Sequence, residues 1–251
     1  MTECVIKFSF FYRVLMSRFI ALCIMLILCS VALYSVDVVS IYDIQHTEDP
    51  GFDGTYPSLF LGQTVIVQGV VTATGFNGGR VFIGEQRGGP WTGIAIDGIG
   101  NRVSVGDLIE VQGRVSELMG KTVITNTRNL RTLLRNQTLP NPVRVSVHEA
   151  LTSEAFESVL VQLTNVTGRS LNNGNFIAVV EDGTANINVG NGFSSDISNS
   201  FRNTENYSAI IGIIDFSFNQ FSIHPRNPSD IRNDATGVQT RSWGVIKSLY
   251  R

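Results

Sequence analysis

The sequence predicts an all-β protein in which two tandem five-stranded β-barrels follow an N-terminal signal or anchor segment. Beyond residue 37 the chain consists of short alternating runs rich in Val, Ile, Thr and Phe between clusters of Gly, Asn, Asp and Ser, which is typical of barrels and sandwiches. Two runs carry Val-Gln-Gly, and a glycine inside a strand marks the kind of bend that a small barrel needs. The same order of five strands then recurs from about residue 143.

The first 36 residues are predicted to be an export segment. Arg13 and Arg18 precede an apolar run from residue 19 to about residue 36, the order found in signal peptides. Cleavage is expected after Ala32 or Ser35, and an uncleaved anchor is the alternative because the run is nearly long enough to span a bilayer. We therefore expect a secreted or cell-envelope protein.

The cysteines and the charge restrict what the rest of the chain can do. Cys4, Cys23 and Cys29 all lie in the leader, so the remainder can form neither a disulfide nor a thiolate metal site. Without residues 1–36 the net charge changes from −2 to −4. A mildly acidic body argues against broad, salt-driven capture of nucleic acid but leaves a local basic stripe open.

The first barrel is predicted over residues 37–140. Val65 and Val67 alternate with polar neighbours in its first strand, and Ile109 and Val111 do so in its fourth, which is the pattern of half-buried strands. Its second, third and fifth strands are predicted over residues 80–86, 91–98 and 121–130.

The second barrel is predicted over residues 141–232, after a join at Leu139–Pro142, where each proline holds its predecessor extended. Its strands are expected within residues 157–168, 176–190, 207–216 and 220–225. Residues 233–251 are predicted to be a linker with a short amphipathic tail, because apolar residues recur every three positions from Trp243.

Two barrels of five strands suggest the oligonucleotide/oligosaccharide-binding (OB) fold. Several stretches, in this order, resemble the non-catalytic OB-type region of large secreted bacterial nucleases and related bacterial surface proteins. In those nucleases a separate endonuclease/exonuclease/phosphatase-type domain follows and performs the chemistry, so the resemblance implies a module without that catalytic domain. The stretches are IQHTEDP (44–50), GQTVIVQGVVTA (62–73), GPWTGIAI (89–96), VGDLIEVQGRVSE (105–117), FESVLVQLTNVT (156–167) and IHPRNPSDI (223–231).

Catalytic motifs are not found in the sequence. The three histidines lie in separate segments, and there is no G-x-S-x-G, no H-E-x-x-H and no phosphate-cradling glycine loop. We therefore predict a non-enzymatic protein with no cofactor and no metal. The alternative is a metal-dependent hydrolase that uses His46, Asp49 and Asp53, against the simpler interpretation of this segment as a loop of turns.

Aromatic and cationic residues on the expected ligand elements are the candidate binding residues. An OB barrel presents strands two and three and the loops that flank them, and single-stranded nucleic acid needs rings for its bases and cations for its phosphates. Trp91, at the entry to the third strand, is either a plug of the barrel end or a ligand platform. The candidates are Arg80, Phe82, Trp91 and Lys121 in the first barrel and Phe216, Phe218, Phe221 and His224 in the second.

These observations predict an exported OB-fold binding or accessory module. Single-stranded nucleic acid is the first ligand hypothesis, and it rests on the nuclease resemblance. The alternative is a carbohydrate-binding or cell-envelope attachment or spacer module, because rings with few charges also suit sugar faces. The expected partners are single-stranded nucleic acid or a polysaccharide, and a secreted nuclease or an envelope component.

Overall fold

The computed structural model of the protein describes residues 37–52, 54–170, 176–180 and 185–233. These residues belong to one compact unit that begins at Asp37. The predicted signal or anchor segment and the amphipathic tail lie outside the described residues. Within the described ranges, no helix is both long enough and apolar enough to cross a bilayer.

The first sheet is a closed five-stranded barrel. Its elements are β1 (Val38–Val39), α1 (Ile41–Gln45), β2 (Thr64–Phe76), β3 (Arg80–Gly84), β4 (Gly93–Ile96), a 3-10 helix (Gly100–Arg102), β5 (Leu108–Leu118) and β6 (Lys121–Leu134). Strand β2 pairs with β3, β3 with β4, β4 with β6, β6 with β5, and β5 with β2 again; the β4–β6 pair is parallel. This is the strand order of an OB barrel.

The residues of β5 explain how the barrel closes. Ile109 and Val111 are fully buried and face the barrel interior, as their alternation predicted. Around Gly113 the register with β6 shifts, and a Cβ at this position would collide with Ile124. Glycine therefore lets β5 bend tightly against β6, as the Val-Gln-Gly motif predicted.

The second sheet repeats the strand order of the first. Its elements are β7 (Val143–Arg144), α2 (Val147–Thr152), a 3-10 helix (Glu154–Phe156), β8 (Leu160–Ser170), β9 (Phe176–Val180), β10 (Asn186–Val189), α3 (Ile197–Ser200), β11 (Asn206–Ser217), β12 (Gln220–His224), a 3-10 helix (Pro228–Asp230) and β13 (Ile231–Asn233). Strands β8, β9, β10, β12 and β11 lie side by side, β11 also pairs with β8, and β10 and β12 are parallel like β4 and β6. The all-β fold that the sequence predicted is thus confirmed.

Helix α2 begins with a capping box, since Ser146 accepts from the backbone N–H of Glu149 and Glu149 accepts from that of Ser146. The buried side chains of Val147 and Ala150 belong to the core of the second sheet. The cap therefore fixes the start of a six-residue helix that packing alone would hold weakly.

A third apolar cluster joins the two sheets. It is separate from the core of each sheet and combines Phe82 and Val123 of the first with Leu160, Ile211 and Ile213 of the second. Because both partners bury apolar surface here, the sheets associate through their outer faces. The alternation pattern did not predict this contact.

Candidate functional site

The OB ligand face of the first barrel is covered by the second sheet. Phe82 on β3 and Ala95 on β4 occupy the strands that usually meet ligand, and both are fully buried. They belong to the same apolar cluster as Leu160, Ile211 and Ile213. Phe82 therefore serves the contact between the sheets and exposes no surface on which a base or sugar could stack.

Lys121 lies in the same contact. Its side chain is 1% exposed and forms an ion pair with Asp215 on β11, whose side chain is 5% exposed. Ser217 Oγ donates to the other carboxylate oxygen at 2.7 Å, and the ammonium lies 5.7 Å from the centre of the Phe76 ring. The lysine thus neutralises a buried carboxylate across the contact. Because it is buried there, its ammonium group cannot contact the phosphates of a nucleic acid in solvent.

His224 is also turned toward the first barrel. Its ring meets Phe76 edge to face at 4.8 Å, its Nδ1 accepts from the backbone N–H of Gly192 at 3.3 Å, and its Nε2 lies 3.0 Å from Ser222 Oγ. Since Nδ1 accepts, Nε2 carries the proton in the neutral ring. The pKa of His224 is lowered to about 4, chiefly by burial; the charge of Asp215 opposes this decrease and the charge of Lys121 adds to it. His224 is therefore a neutral packing residue at physiological pH.

Trp91 stands at the junction between the sheets. Its backbone N–H donates to the carbonyl oxygen of Ala155 at 2.6 Å, its φ is 64°, and its half-buried ring meets His46 edge to face at 5.4 Å. The ring of His46 also stacks on Tyr42 at 4.9 Å. The contacts of Trp91 with Ala155 and His46 are those expected of a plug, while the exposed part of its ring remains accessible to a ligand.

The acidic loop that motivated the metal alternative is built from turns where it is described. Asp49 Oδ1 accepts from the backbone N–H of Gly51 at 2.9 Å, while Asp53 lies outside the described residues. Within the part of the chain that the structure describes, no group of three or more His, Cys, Asp or Glu side chains is arranged to hold a metal ion.

Arg80 pairs with Asp97 at the end of the first barrel. Its Nε donates to Asp97 Oδ1 at 2.6 Å and its Nη2 to Oδ2 at 3.3 Å, and the side chains are 22% and 36% exposed. The pair faces a solvent-open cleft, so Arg80 remains the most accessible of the cations predicted for the first barrel.

The second sheet keeps an open groove on the elements that an OB fold uses for ligands. Its third strand, β10, exposes Asn186 and Asn188 between the buried Ile187 and Val189, and the β11–β12 turn lies beside it. The groove has a volume of about 270 Å³. We call it the amide groove; it is lined by Leu151, Asn186, Asn188, Phe216, Asn219, Gln220 and Phe221.

Two predicted aromatic residues form the apolar part of the amide groove. Phe216 and Phe221 are directly paired across β11 and β12, and their ring centres are 4.7 Å apart. Phe216 is largely buried and Phe221 is half-buried. Among the residues that the structure describes, no charged side chain lines the groove. It therefore presents ring surface and neutral amides, which both donate and accept hydrogen bonds.

Phe218 stands at the tip of the neighbouring β11–β12 turn, next to Asn219. The two residues have φ values of 55° and 60°, and Phe218 is 82% exposed. Asparagine suits this left-handed backbone, but a bulky ring there costs free energy and gains no burial. An exposed ring held in an unfavourable conformation beside a groove is a feature of binding surfaces.

The sequence candidates did not include the four amide side chains of the groove. The motif Asn-Ile-Asn-Val carried the signal, since strict alternation places both asparagines on one exposed face. Asparagine is neither aromatic nor cationic, so the criteria that select rings and cations do not select this motif. Asp215, the partner of Lys121, was missed because a single acidic residue in an apolar strand gives no indication of a partner 94 residues away.

No protein-family model and no curated protein matches the chain. Among solved structures, a putative aspartyl-tRNA synthetase from Leishmania major Friedlin is similar over 48% of this chain, with 13% sequence identity and a TM-score of 0.30. The matched region spans 24% of that chain, about a quarter of its length. The resemblance to the OB-type region of secreted nucleases stays a prediction from the sequence.

Proposed function

We propose that the protein is an exported OB-like binding module that holds a neutral carbohydrate polymer in the amide groove of the second sheet. The observation that carries this proposal is the composition of the groove, which combines the ring surface of Phe216 and Phe221 with four amide side chains and, in the described part of the chain, no charged side chain. Export rests on the predicted leader.

Carbohydrate fits this lining for two reasons. The flat faces of sugar rings carry C–H groups that pack on aromatic rings, while their hydroxyl groups both donate and accept hydrogen bonds. Asn188 and Gln220 are exposed and present amides that can do the same. The position of the groove, on the third strand and the turn between the fourth and fifth strands, is one that OB folds use.

Single-stranded nucleic acid fits the described surface less well. A stacking platform for bases needs cations nearby to follow the phosphates. The amide groove has rings and no cations, whereas the cleft beside Arg80 and Arg102 has cations and, in Phe76, only a buried ring. Neither of these two sites thus combines exposed rings with cations among the described residues; the contact of the Arg87 guanidinium with the Tyr42 ring, at 5.0 Å, lies outside both.

Binding is tested with the purified full chain on an array of neutral polysaccharides, followed by titration calorimetry with the strongest ligand. Asn188→Ala and Gln220→Ala are each expected to weaken binding roughly three- to tenfold, because each removes one or two neutral hydrogen bonds. Both side chains are exposed, so the fold should be unaffected.

Two matched controls accompany these variants. Asn141→Ala removes an exposed amide outside the groove, and Phe52→Ala removes a fully exposed ring outside it; both should bind like the wild type. Phe218→Ala is compared with Phe52→Ala to measure what the ring at the turn contributes. Equal affinities for Asn188→Ala, Gln220→Ala and the controls would contradict the assignment of the groove, and selective binding of oligo-dT over every glycan would favour the nucleic-acid alternative.

A further inference from the structure

The first barrel carries a cleft that shares no residue with the amide groove. It lies where the β2–β3 turn faces the segment after β4, and it is lined by residues 76–80 and 97–102. Its volume is about 620 Å³, which lies within the range of roughly 300 to 1,000 Å³ that is usual for small-ligand sites. We call it the rim cleft.

The walls of the rim cleft are held in place before any ligand binds. The backbone N–H of Asn77 donates to the Gly192 carbonyl oxygen at 2.8 Å, which ties the β2–β3 turn to the second sheet. Thr127 Oγ1 donates to the Asp97 carbonyl oxygen at 3.1 Å. Gly100 packs so closely against Gly79 that a Cβ would collide with its carbonyl oxygen. Preformed walls reduce the ordering cost of binding.

The charge of the rim cleft is opposite in sign to that of the whole chain. The guanidinium groups of Arg80 and Arg102 and the carboxylate of Asp97 line it, whereas the chain has a net charge of −2. The ion pair with Asp97 uses two of the five N–H donors of Arg80. Arg102 is exposed at the end of its short 3-10 helix. The cleft thus has a local excess of one positive charge and further guanidinium donors.

Glycines leave the backbone of the cleft uncovered. Gly78 and Gly98 have φ values of 91° and 82°, a conformation in which other residues are strained. Their peptide groups, with those of Gly79 and Gly100, lie in the lining without side chains over them. A ligand with oxygen atoms can therefore approach the backbone closely while its charge meets an arginine.

We propose that the rim cleft is a second binding site, for a small ligand that carries an oxyanion such as the phosphate of a sugar phosphate. Arg102 receives the oxyanion, and Arg80 contributes the donors that Asp97 does not use. Guanidinium groups match the geometry of phosphate and carboxylate oxygens, and such charge-assisted hydrogen bonds are the strong ones.

The test is titration calorimetry of the full chain at low ionic strength with three probes: glucose 6-phosphate, inorganic phosphate and glucose. The two phosphates are expected to bind and glucose is not. If glucose 6-phosphate binds more tightly than inorganic phosphate, the ligand is a phosphorylated small molecule. If the two bind with equal affinity, the cleft recognises the phosphate group alone. Glucose binding as tightly as glucose 6-phosphate, or no phosphate binding up to about 10 mM, would overturn the proposal.

Two substitutions with opposite expected effects assign the site. Arg102→Ala should weaken phosphate binding by about tenfold or more, because it removes a charge-assisted hydrogen bond. Asp97→Asn should tighten it several-fold, because it removes the competing carboxylate while keeping a similar shape. Arg128→Ala, an exposed arginine of β6 outside the cleft, is the matched control and should change nothing.

Unchanged affinity in Arg102→Ala, or weaker affinity in Asp97→Asn, would contradict the assignment. Asn188→Ala in the amide groove should leave phosphate binding intact. The two sites share no residue, so phosphate binding in the rim cleft and carbohydrate binding in the amide groove are measured in separate titrations. Either proposal can therefore be rejected without the other.

Discussion

Lys121→Met is expected to lower the free energy of unfolding by about 3 to 5 kcal/mol, because it leaves the buried carboxylate of Asp215 without its cation. Methionine keeps most of the volume of the side chain, so the loss reports the missing charge and not a cavity. Urea unfolding at pH 7 measures it. The pair stabilises the contact between the two sheets together with the apolar cluster around Phe82 and Leu160.

A double variant and a surface control separate the pair from general damage. Lys121→Met combined with Asp215→Asn removes both charges and keeps a hydrogen-bonding partner for Ser217, so it should recover a large part of the lost stability. Arg131→Met breaks an exposed ion pair with Glu110 and should cost no more than about 1 kcal/mol. A Lys121→Met loss as small as that of Arg131→Met would show that the buried pair does not stabilise the contact.

Stability is expected to fall by roughly 1 to 3 kcal/mol as the pH rises from about 6.5 to 8.5, because two neighbouring carboxyl groups must ionise in a buried setting. The pKa of Glu154 is raised to about 7, chiefly by burial and also by the charge of Glu117, while its interaction with Glu157 opposes the increase. Burial and the charge of Glu154 raise the pKa of Glu157 well above its usual value, against the opposing charge of Lys121.

The direction of this change in stability with pH depends on whether the folded or the unfolded chain binds the protons more tightly. Both glutamates hold protons more tightly in the folded chain, so their stabilising contribution is complete below their unfolded pKa of 4.5 and is lost as the pH rises through about 7 and above. The lowered pKa of His224 acts in the opposite direction, but only as the pH falls from 6.5 toward 4. Above pH 6.5 the glutamates therefore dominate.

Glu157→Gln should flatten this pH dependence and leave the protein more stable than the wild type at pH 8.5. The glutamine oxygen can still accept from the backbone N–H of Thr122, as Glu157 does at 3.1 Å. Glu149→Gln, at the exposed cap of α2, is the control and should keep the wild-type slope. Thermal unfolding between the two pH values measures both, and an unchanged slope in Glu157→Gln would contradict the account.

Local patterns predicted the strands but not which faces of the sheets meet solvent. The alternation of Ile109 and Val111 identified the interior of the first barrel, since period-two burial is a local property. From Val70 to Ala73 every residue of β2 is buried, because the second sheet covers the outer face there. That covering depends on residues more than 80 positions away and leaves no periodic signal.

The candidate site was predictable in part for the same reason. The sequence places Phe221 and Phe218 on the expected ligand elements, and in the structure they lie in or beside the open groove. Phe82 and Lys121 satisfied the same criteria but are buried between the sheets. Residue type and strand position do not distinguish the exposed OB face from the covered one; the packing of the two sheets does.

The salt dependence of ligand binding tests most directly whether the ligand is held in the amide groove. The affinity for the strongest polysaccharide ligand is measured at about 50 mM and about 500 mM NaCl, with oligo-dT in parallel. Because the described residues that line the amide groove are all uncharged, the polysaccharide affinity should stay the same at both concentrations and should be reduced by Gln220→Ala. A steep loss of affinity at the higher concentration, or affinity for oligo-dT that Gln220→Ala leaves unchanged, would contradict the account.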